Sequence, residues 1–179
     1  PTFTYIASAN AVRYTGAEVV FAESCEDSWQ IAPNDIEHRI TSRTKAIMPV
    51  HLYGHPCDMD SIMDIARRHR LFVIEDCAEA IGSEYRGKKV GSFGDIAAFS
   101  FFGNKTITCG EGGMIVTNDK TLFERAVHIK GQGLAAHREY WHDTIGYNYR
   151  MTNIAAAIGL AQFEQIEKFV NRKIELAEY

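Results

Sequence analysis

The chain has 179 residues and carries 19 Lys and Arg against 23 Asp and Glu, which gives a formal net charge of −4. Hydrophobic residues make up 46% of it and charged residues 23%, a composition that excludes a disordered or fibrous chain. The slight negative charge gives no electrostatic reason to expect nucleic acid or an anionic membrane as a partner. No apolar run approaches the roughly 20 residues of a membrane-spanning helix, and no signal-peptide pattern is present, so we expect a cytoplasmic protein.

The four cysteines, Cys25, Cys57, Cys77 and Cys109, are far apart in the sequence and form no CxxC pair. This pattern is typical of reduced thiols in a cytoplasmic protein. A zinc site that combines them with histidines is not predicted, because zinc ligands usually occur in closely spaced pairs. We expect no metal.

The hydrophobic pattern predicts helices that alternate with short strands. In chain order the predicted elements are a helix at residues 4–14, strands at 18–22 and 45–50 around a helix at 36–40, a helix capped by Asp58, strands at 71–74, 96–101 and 113–117, and helices at 119–129 and from about 153 to the end. The apolar run at 71–74 is typical of a strand buried on both faces of a parallel sheet. The alternation predicts an α/β fold, in which ligands bind at the carboxyl ends of the strands.

Two acidic residues follow the buried strand at 71–74. A carboxylate at this point is costly unless it pairs with a cation or a protonated nitrogen, which makes Asp76 a candidate for such a contact. A helix cap or a structural ion pair is the alternative. Glu75 is a second candidate, since the alternation of a strand places the two side chains on opposite faces.

A serine and a lysine mark the end of the later strand at 96–101. Lys105 enters a glycine-rich turn, and a desolvated amine is what Schiff-base chemistry requires, although an exposed turn lysine is the alternative. Ser100 offers a hydroxyl to a phosphate oxygen, and the glycines allow backbone N–H groups to approach an anion. An acid after one strand and a serine and lysine after a later one together fit pyridoxal phosphate.

Six segments of the sequence together resemble the sugar aminotransferases of the DegT/DnrJ/EryC1/StrS family: residues 2–10, 49–54, 75–82, 99–105, 110–113 and 146–151. The resemblance covers essentially the whole chain, and the motifs occur in the order of the family. It implies the α/β large domain of a fold type I pyridoxal-phosphate aminotransferase, with a mixed, mostly parallel sheet between helices. Around Glu79 and residues 101–106 the sequence is most similar to the members that form perosamine on GDP.

The resemblance also implies roles for individual residues. Lys105 would be the Schiff-base lysine, Asp76 would pair with the pyridine nitrogen, and Ser100 would bind the cofactor phosphate. The other implied contacts are Tyr5 stacking on the ring, Glu79 near the phenolic oxygen, and Asn148 reaching the phosphate in the neighbouring subunit. A core tyrosine is the alternative for Tyr5, and a turn residue is the alternative for Asn148.

The activity implied is transamination of a nucleotide-linked 4-keto-6-deoxysugar, GDP-4-keto-6-deoxymannose, with glutamate as the amino donor and 2-oxoglutarate as its product. The protein would be a homodimer with shared active sites that serves O-antigen lipopolysaccharide synthesis. Alternatives are a UDP- or dTDP-linked ketosugar as substrate, and a non-catalytic α/β module or inactive fragment. Dehydratases of the family carry His at the lysine position, so Lys105 argues against that branch.

Family members are longer than this chain, which begins at Pro1 and ends inside a helical pattern at Tyr179. We therefore expect residues 1–179 to be the central part of the cofactor-binding large domain. On this interpretation an N-terminal segment and a small C-terminal domain are missing from the sequence.

Overall fold

The computed structural model describes residues 1–179, which form two compact units, Pro1–Ser100 and Phe101–Tyr179. We call these the first and the second unit. None of the helices combines the length and the apolar character that crossing a bilayer requires.

The first unit alternates helices with short parallel strands. Its elements in chain order are α1 (Ile6–Tyr14), α2 (Pro33–Arg39), β1 (Ala46–Ile47), a 3-10 turn (Leu52–Gly54), α3 (Met59–His69), β2 (Phe72–Asp76), β3 (Glu84–Tyr85), β4 (Lys88–Lys89) and β5 (Ile96–Ser100). Strand β2 lies between β1 and β5 and is parallel to both, with Ile47 opposite Val73 and Ile74 opposite Ile96. Strands β3 and β4 form a separate antiparallel hairpin.

Helix α3 supplies most of the core of the first unit. The Asp58 carboxylate accepts a hydrogen bond from the Ser61 N–H (3.3 Å) and so satisfies a backbone donor that the first turn leaves unpaired. Apolar residues then recur at helical spacing, and the buried ones are Met59, Ile62, Ile65 and Ala66. They belong to the same cluster as Ile47 of β1 and Val73 of β2. Burial of each larger side chain contributes about 1.5–3 kcal/mol, which holds the helix on the sheet.

The second unit contains one named strand and three helices: β6 (Gly113–Val116), α4 (Lys120–Lys130), α5 (Asn153–Phe163) and α6 (Ile166–Glu178). Side chains cap two of the helices. The Asp119 carboxylate accepts from the Leu122 N–H (2.9 Å) at α4, and the Thr152 hydroxyl accepts from the Ala155 N–H (3.2 Å) at α5.

The predicted alternation of helices and parallel strands is confirmed, but two local predictions are wrong and one hairpin was missed. Residues 18–22 form no strand, because they pair with no neighbouring strand; Ala22 accepts one isolated bond from the Thr2 N–H (2.8 Å). The predicted final helix is two helices, since α5 ends at Phe163 and α6 begins at Ile166. The β3–β4 hairpin was not predicted, although Arg86 and Gly87 have the positive φ angles (50° and 78°) typical of a tight hairpin turn.

Candidate active site

Asp76 ends the central strand of the first unit, β2, and is partly buried. Its backbone N–H donates to the Pro49 carbonyl (2.9 Å), and its carbonyl accepts from the His51 N–H (3.0 Å). One carboxylate oxygen, Oδ2, accepts from the Ser8 hydroxyl (2.7 Å), and the other accepts from the Ala78 N–H (3.1 Å). Each carboxylate oxygen has two lone pairs, so the side chain is fixed and can still accept a bond from a ligand N–H.

Glu75 points away from Asp76, into the interior, and is fully buried. Its carboxylate accepts four hydrogen bonds, from the His51 ring (3.1 Å) and from the N–H groups of Gly91 (2.7 Å), Phe93 (2.8 Å) and Gly94 (2.6 Å). Burial raises the pKa of Glu75, but these donors outweigh it and hold the pKa below its ordinary value. Donors therefore enclose Glu75, and Asp76 is the acid of the pair that remains accessible to a ligand.

Ser100 lies on the same face of the sheet as Asp76. The register pairs Asp76 with Ala98 of β5, and paired residues of parallel strands point to the same side. Ser100 is two residues beyond Ala98, so its side chain leaves the same face about 6–7 Å further along the strand direction. The ends of β2 and β5 thus present a carboxylate and a hydroxyl together, as expected for a ligand site at the carboxyl edge of a parallel sheet.

Tyr5 and Glu79 flank this edge of the first unit. Tyr5 precedes α1 and is 76% exposed, so it is not packed in the core of the first unit. It lies one helical turn before Ser8, the residue that donates to Asp76. Glu79 follows β2, and its Oε2 atom accepts from the Tyr53 N–H (2.8 Å). Tyr53 has a left-handed backbone (φ 54°), a conformation that concentrates at functional sites in proteins.

Lys105 lies in the second unit, in a turn whose base is held by backbone hydrogen bonds. The Phe101 N–H donates to the Gly112 carbonyl (2.9 Å), and the Phe101 carbonyl accepts from the Cys109 N–H (3.1 Å). Within the turn the Lys105 N–H donates to the Phe102 carbonyl (3.0 Å). Lys105 is partly buried.

Asn148 occupies an extended segment that is fixed against the end of α4. The neighbouring Tyr147 and Tyr149 donate their N–H groups to the carbonyls of Ile129 (2.7 Å) and Lys130 (3.0 Å). Their rings stack on each other, with centroids 4.9 Å apart. Since side chains alternate along an extended segment, Asn148 points away from the stacked rings. It forms an isolated β-bridge with Gly131 and lines a cavity of about 560 Å³.

The structure thus places four predicted site residues in the first unit, Tyr5, Asp76, Glu79 and Ser100, and two in the second, Lys105 and Asn148. It also shows contacts that the sequence did not predict. Ser8 belongs to one of the segments that resemble the family, but its bond to Asp76 joins residues 68 positions apart. No local pattern in the sequence could reveal such a contact.

Comparison with known proteins decides the family. The model of the DegT/DnrJ/EryC1/StrS aminotransferase family matches residues 1–179. The chain belongs to this family. GDP-perosamine synthase of Escherichia coli O157:H7 is 67% identical over 178 residues, which are 99% of this chain and 49% of that protein. The Vibrio cholerae GDP-perosamine synthase is 52% identical over 178 residues, 99% of this chain and 48% of that protein.

A solved structure agrees with this family. Spr1654 from Streptococcus pneumoniae, in its PLP-form, superimposes with a TM-score of 0.93 at 28% identity and covers 99% of this chain and 51% of that chain. The predicted family and the predicted aminotransferase fold class are confirmed. The chain spans about half the length of the curated relatives it matches.

Proposed function

We propose that the full-length protein converts GDP-4-keto-6-deoxymannose to GDP-perosamine, with glutamate as the amino donor and 2-oxoglutarate as its product. The single observation that carries this proposal is the 67% identity to the E. coli GDP-perosamine synthase, which extends over 99% of the chain. The proposal places the protein in the cytoplasm and in O-antigen lipopolysaccharide synthesis. Residues 1–179 would be the central part of its large domain, in keeping with the half-length match.

Pyridoxal phosphate is the cofactor of this proposal, and the residues of the first unit fit it. When bound, it supplies an aldehyde that bonds to amines and a protonated ring that accepts an electron pair. The partly buried Asp76 carboxylate has acceptor capacity left for a ring N–H. Ser100 projects from the same sheet face, where a hydroxyl can bind phosphate, and the exposed Tyr5 ring offers a stacking surface.

Each residue then has a defined task. Asp76 holds a proton on the ring nitrogen, because a carboxylate stabilises the adjacent positive charge. The amine of Lys105 would bind the cofactor and carry the proton at the α-carbon of the amino donor, two tasks that a lysine amine can perform. Ser100 donates to the phosphate. The carboxylate of Glu79, held by the Tyr53 N–H, would lie near the phenolic oxygen.

The proposal includes a homodimer in which Asn148 serves the site of the neighbouring subunit. Two observations support the homodimer: Asn148 is exposed, and backbone hydrogen bonds of Tyr147 and Tyr149 fix the segment on which it lies. The side-chain amide N–H of an exposed asparagine can donate to the phosphate of a cofactor bound by the neighbouring subunit.

The test is a product assay with purified full-length protein, pyridoxal phosphate and glutamate. Mass spectrometry should detect an aminated GDP-sugar and an equal amount of 2-oxoglutarate from GDP-4-keto-6-deoxymannose, and neither from the Lys105→Ala variant. The same assay with UDP- and dTDP-linked ketosugars measures the preference. A higher kcat/KM for one of these would contradict the assignment of GDP, and no turnover with any of them would contradict the proposed activity.

A further inference from the structure

The interior of the first unit contains a hydrogen-bonded pair, His51 and Glu75, with both side chains fully buried. The ring Nδ1 of His51 accepts from the Cys57 N–H (3.1 Å), so this nitrogen carries no proton. Nε2 lies 3.1 Å from Glu75 Oε2 and must be the protonated nitrogen that donates to it. These contacts describe a neutral histidine with a fixed tautomer beside an ionised carboxylate.

The pair is complete without a metal ion. Ligand atoms of His51, Glu75 and Cys77 lie within 4.8 Å of one another, a spacing that a metal could occupy. However, both ring nitrogens of His51 and both oxygens of Glu75 already have hydrogen-bond partners. Burial also raises the pKa of the Cys77 thiol, which disfavours the thiolate that metals require. The cluster therefore acts through its hydrogen bonds.

His51 connects this buried pair to Asp76. Its ring donates to Glu75, while its backbone N–H donates to the carbonyl of Asp76 (3.0 Å). Glu75 and Asp76 are consecutive in β2, so the bonds of Glu75 and His51 hold the stretch of backbone that carries the Asp76 carboxylate. On the other face the Ser8 hydroxyl fixes that carboxylate directly. The end of β2 is thus held from both faces of the sheet.

The charge of Glu75 gives the pair a role beyond holding the strand. A buried ion pair or ion–dipole pair contributes little net stability compared with apolar residues of the same size. The negative charge of Glu75 adds to that of the neighbouring Asp76 at the end of β2, and a negative potential there favours the protonated form of a nitrogen held in front of Asp76.

We propose that His51 and Glu75 are positioning residues for Asp76, and that together they keep the ring nitrogen of pyridoxal phosphate protonated when the cofactor is bound. This inference rests on the proposed function, since it concerns the residue that holds the ring proton there. It assigns the pair no contact with the substrate or the cofactor.

Two substitutions of His51 separate its two hydrogen bonds. In His51→Asn the amide oxygen can still accept from the Cys57 N–H, but the side chain is too short to donate to Glu75. In His51→Gln the amide nitrogen reaches the position of Nε2 and restores that donor. The readout is the ¹⁵N chemical shift of pyridoxal phosphate labelled at the ring nitrogen and bound to full-length protein, followed across pH together with the cofactor Kd.

We expect the ring nitrogen to stay protonated to high pH in the wild type. In His51→Asn it should lose its proton at lower pH, with Kd raised about tenfold, because the bond between the protonated ring nitrogen and the Asp76 carboxylate is then weakened. His51→Gln should restore most of both properties. If His51→Asn does not fold, Glu75→Asp is the substitute, because the shorter carboxylate withdraws from His51 and should give the same change.

The outcomes are distinguishable. A purely structural pair lowers Tm in the variants without moving the nitrogen titration, and that result would overturn the inference while the proposed function stands. Failure of the wild type to bind the cofactor, or an unprotonated ring nitrogen in the wild type, would overturn the proposed function and this inference with it.

Discussion

The substitution Glu75→Gln tests the assignment of Glu75 as a buried, fully bonded anion. It keeps the size of the side chain and replaces one carboxylate oxygen by an NH₂ group. In one orientation that group faces the donors of Gly91 and His51, and in the other it faces those of Phe93 and Gly94. Either orientation replaces two hydrogen bonds by contacts between donors, because an amide nitrogen cannot accept them.

The magnitude follows from these two bonds. A hydrogen bond to a charged group contributes about 1.5–3 kcal/mol, so we expect Glu75→Gln to lower the free energy of unfolding by about 3–6 kcal/mol. Removing one partner of a buried pair costs about 3–5 kcal/mol by an independent rule. Total stabilities are about 5–15 kcal/mol, so this loss is a large fraction of the stability of the protein.

Urea unfolding of the full-length protein, followed by circular dichroism, measures this loss. The matched control is Glu18→Gln, whose carboxylate is 70% exposed and lies 3.8 Å from Arg43 Nη1. Exposed pairs of this kind contribute about 0–1 kcal/mol, so the control should unfold nearly like the wild type. A loss below about 1 kcal/mol in Glu75→Gln would refute the four-bond assignment.

The remaining predictions concern pH and the site. The pKa of Glu75 is held below its ordinary value of 4.5 in the folded protein. The stability that ionised Glu75 contributes is therefore present above pH 4.5 and is lost as the pH falls through the folded pKa. In urea unfolding measured across pH, the free energy of unfolding of Glu75→Gln should fall less steeply at acid pH than that of the wild type. Lys105→Ala should abolish turnover but keep binding of pyridoxamine phosphate. A rate above about a tenth of the wild-type rate, which is a change in the activation barrier below ~1.4 kcal/mol, would contradict the catalytic role of Lys105. Asp76→Asn should bind the cofactor yet slow proton abstraction strongly in rapid-mixing absorbance, and wild-type kinetics would contradict its role. Mixed dimers of Lys105→Ala and Asn148→Ala chains, assayed at limiting pyridoxal phosphate, should recover toward half of wild-type activity; a mixture no more active than the average of its parents would place Asn148 outside the neighbouring site.

The sequence predicted those site residues whose polar side chains lie at the ends of recognisable apolar strands. Asp76 and Ser100 were identified because each lies at the end of an apolar strand, and the parallel register of β2 and β5 then places them on one face. The strand pattern alone left the choice between Glu75 and Asp76 open, and only the family resemblance favoured Asp76. It depends on donors from Gly91 to Gly94, a loop that no local pattern places beside β2.

Other features depend on contacts between distant residues. Residues 18–22 have the composition of a strand but form none, because a strand also needs a neighbouring strand to pair with. The β-propensity of a segment does not show whether such a neighbour exists. The bond from Ser8 to Asp76 and that from His51 to Glu75 likewise join separate segments. Such contacts follow from the fold as a whole, so the sequence indicated which residue types matter but not which of them touch.

The central claim, that Lys105 is the residue that binds pyridoxal phosphate covalently, has one direct measurement. Full-length protein is incubated with pyridoxal phosphate, reduced with borohydride, digested and analysed by tandem mass spectrometry. We predict a phosphopyridoxyl group on the peptide that contains Lys105, and none on any peptide of the Lys105→Ala variant. Modification of a different lysine, or no modification of the wild type, would contradict the account.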